Sequence, residues 1–171
     1  MAVLDLRRYR LQPGESRDVV VPVRCDSVEF GSLEYRAVVP IVDARLRIQP
    51  TADGIYLRLR FSCDLEGPCQ RCLEPAQLHV DVDATEYHQN TNGDEPGDPE
   101  LTSEYLLAEG LDLESWARDA LVLAIPAKVL CREDCAGLCP RCGAALADDP
   151  GHDCGGDEPD ERWAKLRDIQ L

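Results

Sequence analysis

Apolar and polar positions alternate through much of the first ninety residues. In VDARLRIQPTADGIYLRLRF (42–61), two runs of period two flank a turn containing Asp53-Gly54, the signature of an antiparallel hairpin. Setting Ile48 opposite Ile55 lines up Val42, Ala44, Leu46 and Ile48 with Ile55, Leu57, Leu59 and Phe61 on one apolar face. The other face carries Asp43, Arg45, Arg47, Tyr56, Arg58 and Arg60. A further run, QLHVDVDATEY (77–87), turns Leu78, Val80, Val82 and Ala84 inward and Asp81 and Asp83 outward.

The period changes in LDLESWARDALVLAIP (111–126). Leu113, Trp116, Ala117, Ala120, Leu121 and Ala124 recur at the spacing of one helical stripe. Asp112 is a suitable N-cap and Pro126 stops the helix after Ile125. This helix is expected to cover the apolar face of the sheet. A shorter one is expected over ERWAKLRDIQL (161–171), anchored by Trp163 and Leu166. Between sheet and helix, NTNGDEPGDPE (90–100) reads as a turn-rich acidic loop. The pattern therefore predicts an α+β fold: mainly antiparallel β-sheet packed against one or two helices, with a Cys-rich zinc-knuckle segment at the C-terminal end. Residues 1–128 would form the sheet-and-helix domain and 129–171 a metal-binding tail.

At 171 residues the chain can bury a core without help from disulfides. Arg7, Arg8 and Arg10 interrupt any signal-length apolar run near the start, and no stretch approaches the roughly 20 apolar residues of a membrane helix. The expected location is the cytoplasm, where thiols stay reduced, with no membrane partner. Nine cysteines there point to metal binding or thiol chemistry rather than to a disulfide framework.

The net charge of −15 is unevenly placed. Residues 72–117 contain 12 acids and no Lys or Arg, whereas residues 1–71 are close to neutral. An acidic middle repels phosphate and suits a basic protein partner. The one candidate RNA footprint is the face formed by Arg45, Arg47, Arg58 and Arg60 with Tyr56. Asp81 and Asp83, on the next strand, are placed to neutralise part of it.

The cysteines concentrate in CREDCAGLCPRCG (131–143). Two residues between Cys139 and Cys142 let both sulfurs converge on one ion, and Gly143 permits the sharp path that aims amide N–H groups at the thiolates. Cys131, Cys135, Cys139 and Cys142 supply four donors by themselves, and Cys154 or His152 is placed to replace one. Zinc is the expected ion, with rubredoxin-type iron as the alternative. Cys69 and Cys72, in PCQRCLEP, form a second pair at the same spacing without the following glycine. They would complete a ribbon with Cys139 and Cys142, act as a reactive dithiol, or make a tight turn at a strand end. Cys25 and Cys63 lack a partner at motif spacing and are expected in the core. No nucleophile elbow, phosphate-cradling glycine loop or HExxH helix occurs, so neither catalysis nor a small-molecule substrate is expected.

CQRCLEP, LDLESWARDALVLAIP, LCREDCAGLCPRCGAAL and ERWAKL, in that order, resemble the YceD family over roughly the last 100 residues. That resemblance implies a ribosome-assembly accessory factor rather than an enzyme, supporting accumulation of 23S ribosomal RNA. The family's genes commonly adjoin that of a small basic zinc-ribbon protein of the large subunit. The implied partners are large-subunit rRNA or its precursors, a basic large-subunit ribosomal protein, or both. The family's paired cysteines correspond to Cys69 and Cys72, and its C-terminal cluster to Cys131, Cys135, Cys139 and Cys142. The rival expectation is a cytoplasmic thiol or metal-handling redox protein that works through Cys69 and Cys72.

Overall fold

The structure is a computed structural model that describes residues 3–90, 101–149 and 151–154. The alternating segments become strands β2 (Arg17–Arg24), β3 (Val28–Phe30), β4 (Leu33–Ala37), β5 (Ile41–Pro50), β6 (Gly54–Pro68) and β7 (Pro75–Gln89), after a short β1 (Val3–Leu4). All pair antiparallel. β6 and β7 stay in register along their whole length, from Gly54 opposite Gln89 to Pro68 opposite Pro75. The other side of β6 takes β5 over Ile55–Arg60 and β4 at Leu65 and Glu66. β2 lies outside β5 and β3 outside β4. Two further short strands, β8 (Leu106–Leu107) and β9 (Gly110–Asp112), join β1 in a separate small sheet.

Alternation fixes which face is buried. Ala44, Leu46, Ile48, Leu57, Leu59, Phe61, Cys63, Leu65, Val80 and Val82 are all buried, while Asp81 and Asp83 are exposed. The hairpin register differs from the expected one by two residues: Ile48 faces Leu57, and Ile55 faces Pro50. The cause is a tighter turn, in which the Thr51 N–H donates to the Gly54 carbonyl at 2.8 Å, directly beyond the last pair. A shift of two leaves every side chain on its predicted face.

The helix α1 (Leu113–Ala124) ends where the capping signals place it. Asp112 accepts the Ser115 N–H at 3.2 Å, and Ile125 is extended, as a residue before proline must be. Leu113, Trp116, Ala117, Ala120 and Leu121 are buried, each large side chain stabilising by about 1.5–3 kcal/mol; Ala124 is half-buried. The Trp116 ring stacks on Tyr105 at 6.4 Å between centroids. α1 packs on both β7 and β2. Those strands lie three spacings apart, roughly 14 Å, and a helix is only about 10 Å wide, so the sheet curls around it.

The same core takes in Val129 and Cys135 from beyond the helix. Cys25 and Cys63 lie within it, each 2% exposed, and burial pushes the Cys25 thiol up to about 12. Among the described residues no helix is long and apolar enough to cross a membrane. The helix expected over 161–171 and, from residue 91 on, the loop expected over 90–100 lie outside the described residues.

The far end of β6 is fixed by a single packing arrangement. The fully buried Tyr35 of β4 crosses Gly67 of β6, where any Cβ would overlap its ring, and its hydroxyl donates to the Pro68 carbonyl at 3.0 Å. The last residues of β6, and hence the start of the CQRC turn, are held from the core.

Candidate metal centre

The β6–β7 hairpin ends in the turn Cys69-Gln70-Arg71-Cys72, and the chain returns to it after α1. Gln70 donates its N–H to the Val129 carbonyl at 2.9 Å, and the Gln70 side-chain oxygen accepts the Val129 N–H at 3.2 Å. This two-way clasp lays residues 129–135 beside the turn. The Cys69 and Cys135 sulfurs come within 3.8 Å, and those of Cys72 and Cys131 within 3.6 Å. The four donors lie within 4.8 Å of one another, with Cys69 and Cys135 buried and Cys131 exposed. None is in a disulfide. A tetrahedron with bonds of about 2.3 Å to sulfur has edges of about 3.8 Å, so this spacing fits one four-coordinate ion.

A second set lies further along: Cys139, Cys142, His152 and Cys154, also within 4.8 Å of one another. The Cys139 and Cys154 sulfurs are 3.4 Å apart, those of Cys142 and Cys154 3.2 Å, and His152 Nε2 is 3.2 Å from the Cys142 sulfur. The other ring nitrogen, Nδ1, faces the Asp149 carboxylate at 3.8 Å, an arrangement that leaves Nε2 free to act as a donor. Three sulfurs and one imidazole are a common tetrahedral donor set.

Thus Cys131, Cys135, Cys139 and Cys142 do not converge on one centre. The first two join Cys69 and Cys72, and the last two join His152 and Cys154. The reason lies in Gly137 and Leu138. Gly137 has φ +82 and packs against Arg71, and Leu138 donates its N–H to the Arg71 carbonyl at 3.1 Å. The chain therefore crosses the first turn between Cys135 and Cys139 and continues away from it. A countable signal was present in the sequence: nine cysteines less the two in the core, plus His152, make two complete sets of four.

The electrostatics of the two sets run in parallel. Burial opposes ionisation of Cys69, but the N–H groups of Cys72, Arg71 and Cys131 outweigh it and bring the thiol down to about 6. In the second set the N–H groups of Cys142 and Arg141 bring Cys139 down to about 6. Neighbouring sulfurs push Cys131 and Cys154 up to about 12. Each set thus favours one thiolate, and further ionisation meets like-charge repulsion that a bound cation would relieve.

The arginine face is assembled as its alternation predicts, with Arg45 opposite Arg60 and Arg47 opposite Arg58. Two carboxylates also offset half of its charge. Arg47 grips Asp18 through two bonds of 2.8 and 2.9 Å, Arg58 grips Asp83 at 2.7 and 2.6 Å, and Arg60 reaches the same Asp83 at 3.2 Å. Asp81 instead accepts from Ser62 at 2.7 Å.

The family model for "Large ribosomal RNA subunit accumulation protein YceD" matches residues 57–170. Relatives from Mycobacterium tuberculosis and Mycobacterium bovis, named "Uncharacterized protein Rv2926c" and "Uncharacterized protein Mb2951c", are each 32% identical over 168 residues, covering 95% of this chain and 78% of theirs. "Uncharacterized protein ML1660" of Mycobacterium leprae is 29% identical over 129 residues, 75% of this chain and 58% of its own. No solved structure matches.

Proposed function

The chain belongs to the YceD family, and from that membership we propose that it is a non-catalytic accessory factor in large ribosomal subunit biogenesis, supporting 23S rRNA accumulation, with zinc as a structural ion. The observation that carries this reading is the extent of the match: residues 57–170 contain every donor of both four-membered sets. The matched span thus includes the hairpin end, the covering helix and the sulfur-rich segment of this chain.

Zinc suits donor sets of four sulfurs and of three sulfurs with one imidazole, and it stays redox-inert. A four-donor set leaves no position for activated water, which favours a structural role over a hydrolytic one. The protein works in the cytoplasm, and its favoured contact is a basic large-subunit ribosomal protein. Twelve acids with no Lys or Arg over residues 72–117 support that choice. Direct rRNA contact through Arg45, Arg47, Arg58 and Arg60 has less support, because Asp18 and Asp83 already occupy three of the four guanidinium groups.

The redox alternative through Cys69 and Cys72 has less support, because both sulfurs converge with those of Cys131 and Cys135 in one four-donor set. Cys69 is fully buried, with its sulfur against the Arg71 N–H and Cys135, which leaves half-buried Cys72 as the sulfur open to an exchange partner. The test is depletion of the protein in cells, followed by 23S rRNA quantification and affinity capture at modest salt. Loss of 23S relative to 16S rRNA, with recovery of large-subunit precursors or a basic large-subunit protein, is the expected result. Unchanged rRNA on full depletion would contradict the proposal.

A further inference from the structure

The two Cys-x2-Cys turns are one backbone device used twice. In the first, the Leu73 N–H returns to the Cys69 carbonyl at 2.9 Å and the Cys69 N–H reaches the Glu74 carbonyl at 2.8 Å. In the second, the Gly143 N–H returns to the Cys139 carbonyl at 2.9 Å and the Cys139 N–H reaches the Ala144 carbonyl at 2.8 Å. The residue after the second cysteine is left-handed in both, with φ 63 at Leu73 and φ 75 at Gly143. Both turns place arginine third, and each arginine closes its own set. Arg71 Nη1 donates to the Cys135 carbonyl at 2.8 Å, and Arg141 Nη1 to the Cys154 carbonyl at 3.3 Å.

Leu73 is the informative residue. A left-handed leucine costs about 1–2 kcal/mol, and at 58% exposure its side chain recovers little of this by packing. Short hairpin loops often close on a left-handed residue, so the conformation marks a metal turn only together with the four converging sulfurs. Here the reversal also turns the Arg71 N–H toward the Cys69 sulfur, at 3.4 Å. The first turn therefore has the backbone of a ligand turn despite lacking the glycine that marks one in sequence.

The sets differ in what they connect. Cys69 and Cys72 come from the sheet, whereas Cys131 and Cys135 come from beyond the helix, about sixty residues later. All four donors of the second set fall between residues 139 and 154. We infer that the chain holds two divalent ions with different duties: one at Cys69, Cys72, Cys131 and Cys135 fastens the C-terminal segment to the sheet, and one at Cys139, Cys142, His152 and Cys154 folds that segment upon itself. This rests on the proposal of a structural metal and goes past it in stoichiometry, ligand assignment and order of dependence. Losing the first ion frees the segment, whereas losing the second leaves it fastened.

Cobalt(II) titrated into the metal-free full-length chain tests this, with limited trypsin digestion of the zinc-loaded protein. Saturation at two equivalents is expected, with one absorption component of an all-sulfur site and one of a three-sulfur, one-nitrogen site. His152→Cys should convert the second component to the first type. Cys131→Ser should retain one equivalent, of the mixed type, and expose Arg132 to rapid cleavage. Cys154→Ser should retain one equivalent, all-sulfur, and keep cleavage at Arg132 slow. Saturation at one equivalent, two equivalents retained by Cys131→Ser, or equal exposure of Arg132 in both variants would overturn the inference. None of these readouts involves the ribosome. A chain with two ions and no effect on rRNA would refute only the functional proposal, and a one-ion chain that supports rRNA accumulation would refute only this one.

Discussion

The N–H of Leu138 donates to the carbonyl of Arg71 across 3.1 Å, so the segment between the two sulfur sets rests on the turn that supplies half of the first. Arg71 in turn donates to the Cys135 carbonyl at 2.8 Å. Sheet, turn and C-terminal segment thus share a hydrogen-bonded seam beside the first set. The seam is small, and backbone hydrogen bonds at a surface contribute only about 0.5–1.5 kcal/mol each. A structural zinc ion would contribute on the order of 10 kcal/mol, so an ion in the proposed first site would dominate this attachment.

The strain at Leu73 can be measured. Leu73→Gly removes the left-handed penalty and is expected to leave metal content unchanged while raising stability by about 1 kcal/mol in chemical denaturation of the zinc-loaded protein. A marked loss of stability would mean that the exposed leucine side chain has a packing role.

Gly67→Ala places a methyl group in the Tyr35 ring and should cost about 1–3 kcal/mol. Because the Tyr35 hydroxyl holds the Pro68 carbonyl, one residue before Cys69, the same variant should weaken the first ion more than the second. Competition with a chelator monitors both, and equal weakening would detach Tyr35 from any role at the metal turn.

Much of the fold can be read along the chain because local period and burial coincide in it. The faces of β5, β6 and β7 and both ends of α1 follow from alternation and caps. The hairpin register does not, since Ile48 facing Leu57 and Ile48 facing Ile55 bury the same side chains, and only the tight turn at Thr51–Gly54 separates them. The short β1, β8 and β9 carry too few residues to show a period. At the sulfur sets, spacing pointed to the side chains that converge yet not to their partition. Motif spacing is local, whereas Cys69 meets Cys135 across a sequence separation of 66 residues through the Gln70–Val129 clasp.

The arginine face should behave as structure. Substituting Arg45, Arg47, Arg58 and Arg60 together by Gln is expected to lower the denaturation midpoint only slightly, since solvent-exposed ion pairs contribute little, and to leave rRNA association unchanged. A folded variant with sharply reduced rRNA association would return this face to a binding role.

His79 gives the sheet a weak pH dependence. Its hydrogen bond to Asp64 at 2.6 Å, with Asp81 nearby, raises its pKa above the ordinary 6.5. A raised folded-state value means that the contribution is fully present below pH 6.5 and is lost as pH rises through the folded value. Asp83 works in the opposite sense: the Arg58 hydrogen bond, outweighing partial desolvation, holds it down at about 2, so its contribution is present above pH 3.8 and fades as pH falls toward 2. Denaturation midpoints between pH 6 and 8 for the wild type and Asp64→Asn check the first sign, and the variant should lose most of the decline.

The most direct measurement is the intact mass of the native chain, purified without added metal and sprayed under non-denaturing conditions, compared with its mass in acid. The expected difference is two zinc ions per chain, falling to one in Cys72→Ser and to one in Cys142→Ser. A native chain that carries one ion or none, or a Cys72→Ser chain that still carries two, would contradict it.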